Sequence, residues 1–273
     1  MKSLSSAYPV WFCDIWGVLH DGLAPYASTV DVLQRHRKSG GTVVLVSNSP
    51  RSTLGVSIQL DDIGVPRDAY DTAVTSGDVT QDLMRQTDGK LFHLGPKRDT
   101  SIFDGLDIER VPLASASAVI CTGLFHDDRE TPEDYSQLLR DMRMRNLTMI
   151  CANPDKVVRK GKALQYCAGS LAEAYERQGG TVLMAGKPFA PIYDLARRRA
   201  ATIRDHDVPL SAILAIGDGP ETDIKGAAGQ GIACVFMTGL HDDDGDLAKA
   251  DANIRSVVPT ANILRTVANL DWT

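Results

Sequence analysis

The sequence predicts an α/β protein: a doubly wound parallel-sheet, Rossmann-like core with a second α/β block inserted into it. Three observations carry this. Short β-rich runs alternate with amphipathic helical runs along the chain, the pattern of strand-helix-strand units in a parallel sheet covered on both faces. The alternation is interrupted near Gly89 and resumes near residue 181. The polar residues of interest, Asp14, Ser47 and Gly217-Asp218, fall at the carboxyl ends of expected strands, where open α/β sheets collect ligands.

In order, residues 10–15 read as a buried strand and 28–38 as a helix stopped by Gly40-Gly41. Residues 42–46 form a second β-branched strand running into Ser47-Asn48-Ser49-Pro50. There Ser49 is expected to cap a helix and Pro50 to occupy its first turn. That helix ends near Gly64, a strand follows at 72–75, and a helix at about 77–86. In the second block, 91–94, 118–121 and 147–152 read as strands. Thr131-Pro132-Glu133-Asp134 opens a helix with a cap and favourable charges, and a helix at 170–178 stops at Gly179-Gly180. The resumed alternation gives strand 181–185, helix 191–204, strand 212–216, helix 221–228, strand 232–237 and a final helix near 260–268. The expected core is therefore 1–87 with 184–273, and the insertion 88–183.

The 273 residues are 43% hydrophobic and 23% charged, an ordinary globular composition. A net charge of −6 argues against a nucleic-acid footprint, which needs a basic face. No apolar run approaches the roughly 20 residues that cross a bilayer, so no membrane partner is expected. A cleaved signal peptide would remove the first strand, which points to a cytoplasmic protein. Cys13, Cys121, Cys151, Cys167 and Cys234 are odd in number and form no CxxC, as expected of reduced thiols acting as small buried hydrophobes.

Four motifs carry chemistry. Phe12-Cys13-Asp14-Ile15-Trp16-Gly17 puts an acid at a strand end before a glycine turn. Val44-Leu45-Val46-Ser47-Asn48 ends the next strand with a hydroxyl and an amide. Gly186-Lys187-Pro188 holds a lysine between two backbone-restricting residues. Ile216-Gly217-Asp218-Gly219-Pro220-Glu221-Thr222-Asp223 offers two acids whose spacing suits one metal ligand and one supporting acid. Each alone is weak. In this order they resemble the signature of the haloacid dehalogenase superfamily. Asn153-Pro154-Asp155, Ala168-Gly169-Ser170-Leu171 and Thr222-Asp223-Ile224-Lys225-Gly226 extend the resemblance to its class IIA, p-nitrophenylphosphatase-like branch, which inserts an α/β cap domain between the second and third motifs.

The resemblance implies an Mg²⁺-dependent hydrolase acting on a small phosphorylated metabolite through an aspartyl-phosphate on Asp14. Asp14, the backbone carbonyl of Trp16 and Asp218 would bind Mg²⁺, with Asp223 supporting them. Ser47, Asn48 and Lys187 would hold the phosphoryl group, and Asn153 and Asp155 would face it from the cap. Relatives often pair through the cap, so a homodimer is a candidate assembly. A hard divalent cation suits this chemistry, since a carboxylate cannot attack an anionic phosphate unscreened.

The sequence departs from the family at Trp16, where its phosphatases carry a second aspartate that protonates the leaving oxygen. An indole N–H cannot exchange that proton, and general acid–base catalysis is typically worth ~10²- to 10⁴-fold. Three readings stay open: His20 or Asp21 substitutes as acid/base, the leaving group needs no proton, or the protein binds a phosphometabolite with little or no turnover. Dehalogenation fits poorly, because the Asp218–Asp223 loop resembles the metal-binding version. A response-regulator receiver shares Asp, Ser/Thr and Lys but lacks an insertion. Asp242-Asp243-Asp244-Gly245-Asp246 reads as a solvated acidic loop and Arg197-Arg198-Arg199 as a solvated helix face, while His126-Asp127-Asp128-Arg129 reads equally well as a polar loop or as a cap segment that helps select substrate.

Overall fold

The computed structural model describes residues 1–160, 163–238 and 246–273. Along them run α1 (Lys2–Ala7), β1 (Val10–Cys13), α2 (Ala27–Lys38), β2 (Thr42–Ser47), α3 (Thr53–Ile63), β3 (Thr72–Thr75) and α4 (Ser76–Met84). Next come β4 (Lys90–Leu94), β5 (Glu109–Arg110), β6 (Ala118–Cys121), α5 (Ser136–Met144), β7 (Thr148–Cys151), β8 (Val157–Lys160), β9 (Ala163–Tyr166), α6 (Ala168–Arg177) and β10 (Thr181–Met184). The chain ends with α7 (Ala190–Arg204), β11 (Ile213–Gly217), α8 (Lys225–Gly229), β12 (Ala233–Met237), α9 (Leu247–Val257) and β13 (Ile263–Val267). No helix among the described residues is long and apolar enough to cross a membrane.

The chain divides into two compact units, one of Met1–Ser47, Thr53–Val74 and Lys187–Thr273, the other of Asn48–Ser52 and Thr75–Gly186. In the first, a six-stranded sheet is ordered β13-β12-β11-β1-β2-β3. The pairings of β1 with β2 and β11, and of β12 with β11 and β13, are all parallel. β1, β2, β11 and β12 are buried at every position, as strands sandwiched by crossover helices must be. α2 turns Thr29, Val30, Leu33 and His36 inward at helical spacing. β2 and β3 lie to one side of β1 and the later strands to the other. The strand order therefore reverses between β1 and β11, the place where such sheets open a ligand crevice.

The second unit carries a five-stranded sheet, β10-β7-β6-β4-β5, and a separate β8-β9 antiparallel pair. Its parallel strands alternate between two apolar clusters. Val119, Cys121, Met149 and Cys151 face one, Ala118, Ile120 and Ile150 the other, the two-residue period of a pleated strand.

Several sequence expectations need correction. The helix expected near 260–268 is strand β13, whose Ile263, Thr266 and Val267 pair with Cys234, Phe236 and Met237. Completing the sheet outweighs the weak helical pattern there. The helix lies earlier, as α9, where Asp246 Oδ1 accepts from the backbone N–H groups of Ala248 and Lys249 at 3.0 Å each. Asp246 is thus a helix cap, and the rest of the acidic run, 242–245, lies outside the described residues. Ser49 and Pro50 precede a helix that begins only at Thr53; Ser49 Oγ instead accepts from Arg51 N at 3.3 Å. By compactness, Thr75–Gly186 groups with Asn48–Ser52, and α4 joins the core of that unit through Met84. The β8-β9 pair, α1 and β5 were not anticipated.

Beneath the first sheet, His36 stacks on Trp11 with ring centroids 3.8 Å apart and planes 4° from parallel. Its Nδ1 lies 2.7 Å from Ser5 Oγ. Burial, the largest cause, pulls its pKa from 6.5 down to about 4. The folded state therefore binds fewer protons than the unfolded chain between those values. This contribution is complete above pH ~6.5 and lost as pH falls towards ~4, up to about 3 kcal/mol. Urea midpoints of wild type and His36→Phe should diverge across that window, with the flatter profile in the variant. Parallel profiles would refute the assignment.

Candidate active site

Three strand ends build the site in the first unit. Asp14 follows β1, and its N–H donates to Ile216 O on β11 at 2.8 Å. Cys13 is in register with Leu45 of β2 and Ile216 of β11, so Ser47 and Asp218 emerge at the same sheet edge as Asp14. Both are buried.

Lys187 supplies the cation. Its Nζ donates to Asp14 Oδ1 at 2.6 Å, to Asp223 Oδ1 at 2.7 Å and to the Val46 carbonyl at 2.9 Å. Three donors meet three acceptors, which fixes an otherwise flexible side chain that is only 3% exposed. Asp223 is fixed in turn by Gly219 N–H, which donates to Oδ2 at 3.1 Å, within a single π-helical turn over Pro220–Ile224.

Asp14, Asp218 and Asp223 each offer a carboxylate oxygen, all within 4.8 Å of one another. Burial, then Asp223, push the Asp14 carboxyl well above the usual carboxylate range against the pull of Lys187. Burial raises Asp223 likewise. For Lys187 burial opposes the ammonium, but the Asp14 and Asp223 carboxylates outweigh it and push its pKa up. Three carboxylates against one ammonium leave two negative charges uncompensated when all are ionised. Oxygen donors, close spacing and that deficit fit a hard divalent cation.

Glycine is required beside this cluster. At Gly17, φ is +81° and an added Cβ would lie 2.0 Å from Asp218 Oδ2. Gly17→Ala is therefore expected to displace Asp218 and, where this cluster takes up Mg²⁺, to weaken that uptake at least ~10-fold, as displaced metal-site support does. Calorimetric titration with MgCl₂ checks this, and unchanged affinity would contradict it.

The remaining expected residues are placed as follows. Asn48, Asn153 and Asp155 come together in the second unit: Asn48 Nδ2 donates to Asp155 Oδ1 at 3.0 Å, and Asp155 N donates to Asn153 Oδ1 at 3.0 Å. Gly186 belongs with them, since a Cβ there would lie 2.4 Å from Asn48 Oδ1. His20 is buried, and its Nδ1 accepts from Gly22 N–H at 2.9 Å. Burial lowers its pKa. Asp21 Oδ1 accepts from the N–H groups of Leu23 and Ala24 at 2.8 and 2.9 Å. Both substitute-acid candidates thus hold their own loop.

Arg199 does not lie on a solvated face: it donates to Thr53 Oγ1 at 2.6 Å and to the Ala73 carbonyl, tying α7 to its neighbours. Asp127 pairs with Arg98. All five cysteines are free and buried, and burial raises Cys151, Cys167 and Cys234 to about 12. The Val46 carbonyl was missed, because a backbone acceptor has no signal in residue type.

Two family models match the chain, "Haloacid dehalogenase-like hydrolase" over residues 11–109 and "HAD-hydrolase-like" over 184–263. Among solved structures, a hydrolase of the haloacid dehalogenase-like family from Brucella suis is 44% identical, covering 99% of this chain and 98% of that one, with a TM-score of 0.88. A 4-nitrophenylphosphatase from Thermotoga maritima is 20% identical, covering 97% and 96%, with a TM-score of 0.74. The glycerol phosphate phosphatase of Mycobacterium tuberculosis in complex with magnesium is 21% identical, covering 98% and 77%, with a TM-score of 0.70. No curated protein matches the chain.

Proposed function

This chain belongs to the haloacid dehalogenase-like hydrolase family, and from that premise we propose that it is an Mg²⁺-dependent hydrolase of a small phosphorylated metabolite. One observation carries the reading: the buried Asp14, Asp218 and Asp223 carboxylates gathered within 4.8 Å, with Lys187 bridging two of them. The phosphatase neighbours and the magnesium in one of them support it.

Asp14 and Asp218 would hold Mg²⁺ with the Trp16 carbonyl, and Asp223 would steady Lys187. The bound ion would screen the phosphate and polarise its P–O bonds. An Asp14 oxygen attacks phosphorus as the bond to the leaving oxygen breaks. Lys187 neutralises charge on Asp14 and the phosphoryl group. Ser47 donates to a phosphoryl oxygen, and Asn48, Asn153 and Asp155 contribute to substrate recognition. Water then attacks the aspartyl-phosphate, releasing phosphate and restoring Asp14. Because these are fixed charges and donors, catalysis is chiefly electrostatic positioning.

Trp16 limits this chemistry. With no carboxyl there, and with His20 and Asp21 engaged in the loop, turnover of substrates whose leaving oxygen must be protonated is slow. The same feature favours the second reading, a phosphometabolite-binding protein with little or no turnover. Five buried thiols suit a cytoplasmic setting. Phosphate release from a panel of phosphometabolites, acyl phosphates included, should require Mg²⁺ and cease with chelator. Mg²⁺-dependent phosphate binding without release would favour the second reading, and neither binding nor release would refute both.

A further inference from the structure

Six residues past Lys187, Tyr193 turns inward from α7 and is only 4% exposed. Its hydroxyl rests on the backbone of α8. A Cβ added at Gly226 would lie 2.1 Å from Tyr193 Oη, 2.8 Å from Cζ and 2.9 Å from Cε2, so only a glycine lets the phenol reach so far. α8 is five residues long, Lys225-Gly226-Ala227-Ala228-Gly229, and buries Gly226 and Ala227. Its buried face thus carries nothing larger than a methyl group, and what bears on its backbone sets how near α7 it lies. The run Thr222-Asp223-Ile224-Lys225-Gly226 ends on this glycine, which the metal and phosphate chemistry leaves without a role.

Gly226 is three residues from Asp223, and the π-helical turn over Pro220–Ile224 that carries Asp223 runs directly into α8. The Asp223 side chain has little slack of its own. A Cβ at Gly217 would lie 2.2 Å from its Cβ and Cγ, so it packs against the backbone at the end of β11. The segment bearing Lys187 and the segment bearing Asp223 therefore meet twice. Lys187 Nζ donates to Asp223 Oδ1 at 2.7 Å, and the phenol bears on Gly226. The phenol is also close enough that, after burial, the Asp223 carboxylate is the next cause pushing its pKa up. We infer that Tyr193 is a positioning residue: by bearing on the Gly226 backbone, its phenol sets the gap across which Lys187 donates to Asp223. A shift of α8 by ~1 Å away from α7 would carry that bond past hydrogen-bonding range. A misplacement of that size can cost ~10²-fold in rate. The inference deepens the proposed function and rests on it for the effect on turnover, not for the contact.

The test reads the Lys187 ammonium directly, in proton–nitrogen correlation spectra of the metal-free protein, with its signal assigned by its loss in Lys187→Arg. Gly226→Ala should move that signal and slow Mg²⁺-dependent phosphate release ~10-fold or more. Tyr193→Phe removes only the hydroxyl and should also move the signal, to a smaller extent. In the double variant the new methyl group takes the place the hydroxyl vacates, and both signal and rate should return most of the way to wild type. A general loss of stability neither singles out one ammonium nor is undone by a second substitution at the contact. A Lys187 signal that stays put in both single variants overturns the inference. So does a double variant no nearer wild type than Gly226→Ala. Should Gly226→Ala fail to fold, Tyr193→Phe alone decides, and its signal must move. The spectra need neither Mg²⁺ nor substrate, so a wild type that releases no phosphate would overturn the hydrolase reading while the signal still judges the contact.

Discussion

Asp14→Asn should abolish turnover, by at least ~10³-fold on every substrate, while raising the melting temperature of the metal-free protein. The two effects share one cause. An amide oxygen cannot serve as the phosphoryl acceptor, so the covalent step is lost. Folding also disfavours ionisation of this carboxyl, through burial first and the Asp223 carboxylate second. A neutral isostere removes that cost and can still accept the Lys187 hydrogen bond, which runs 2.6 Å to Asp14 Oδ1. Activity and stability then move in opposite directions, the trade-off of a strained functional site. Rapid-quench mass spectrometry should find one added phosphoryl group on the wild-type peptide containing Asp14 and none in the variant. A variant that is both inactive and less stable would show that Asp14 supports the fold, and retained turnover would remove it from the chemistry.

The parts of this site that could be read from sequence are those fixed by residue type at a strand end. Asp14, Lys187, Asp218 and Asp223 stood out through the order of four motifs, each weak alone, which together resemble the family signature. Five of the six strands of the core sheet were legible from their apolar, β-branched runs, such as the fully buried 42–46. What depended on packing was not legible. The Val46 carbonyl that completes the Lys187 donors is invisible to composition. Asn48 and Asp155 meet across 107 positions of sequence, a distance no local pattern encodes. Strand β13 was mistaken for a helix because Asn262-Ile263-Leu264-Arg265 has little period of either kind, and pairing with β12 decided it. Nor does residue type show that His20 Nδ1 and Asp21 Oδ1 accept from the N–H groups of Gly22, Leu23 and Ala24 in their own loop.

Trp16→Asp should raise kcat/KM for alkyl phosphates by ~10²-fold or more, the range expected when a general acid is supplied where none existed. The backbone there is suited to the exchange. Gly17 and Gly22 set the loop path by their positive φ angles, and the hydrogen bonds from Gly17 N to His20 O and from Gly22 N to His20 Nδ1 involve no atom of the indole. A shorter side chain leaves that scaffold in place beside Asp14. The gain should depend on the leaving group: large for alkoxides, which cannot depart unprotonated, and small for aryl and acyl phosphates, which can. A plot of log kcat/KM against leaving-group pKa should therefore be steep in wild type and flatter in the variant. A gain confined to alkoxide leaving groups is something a simple loss of structure cannot produce. The double variant with Asp14→Asn must remain inactive, because a proton donor without a phosphoryl acceptor has nothing to assist. If a folded Trp16→Asp protein gains nothing on alkyl phosphates, missing proton transfer is not what limits this enzyme.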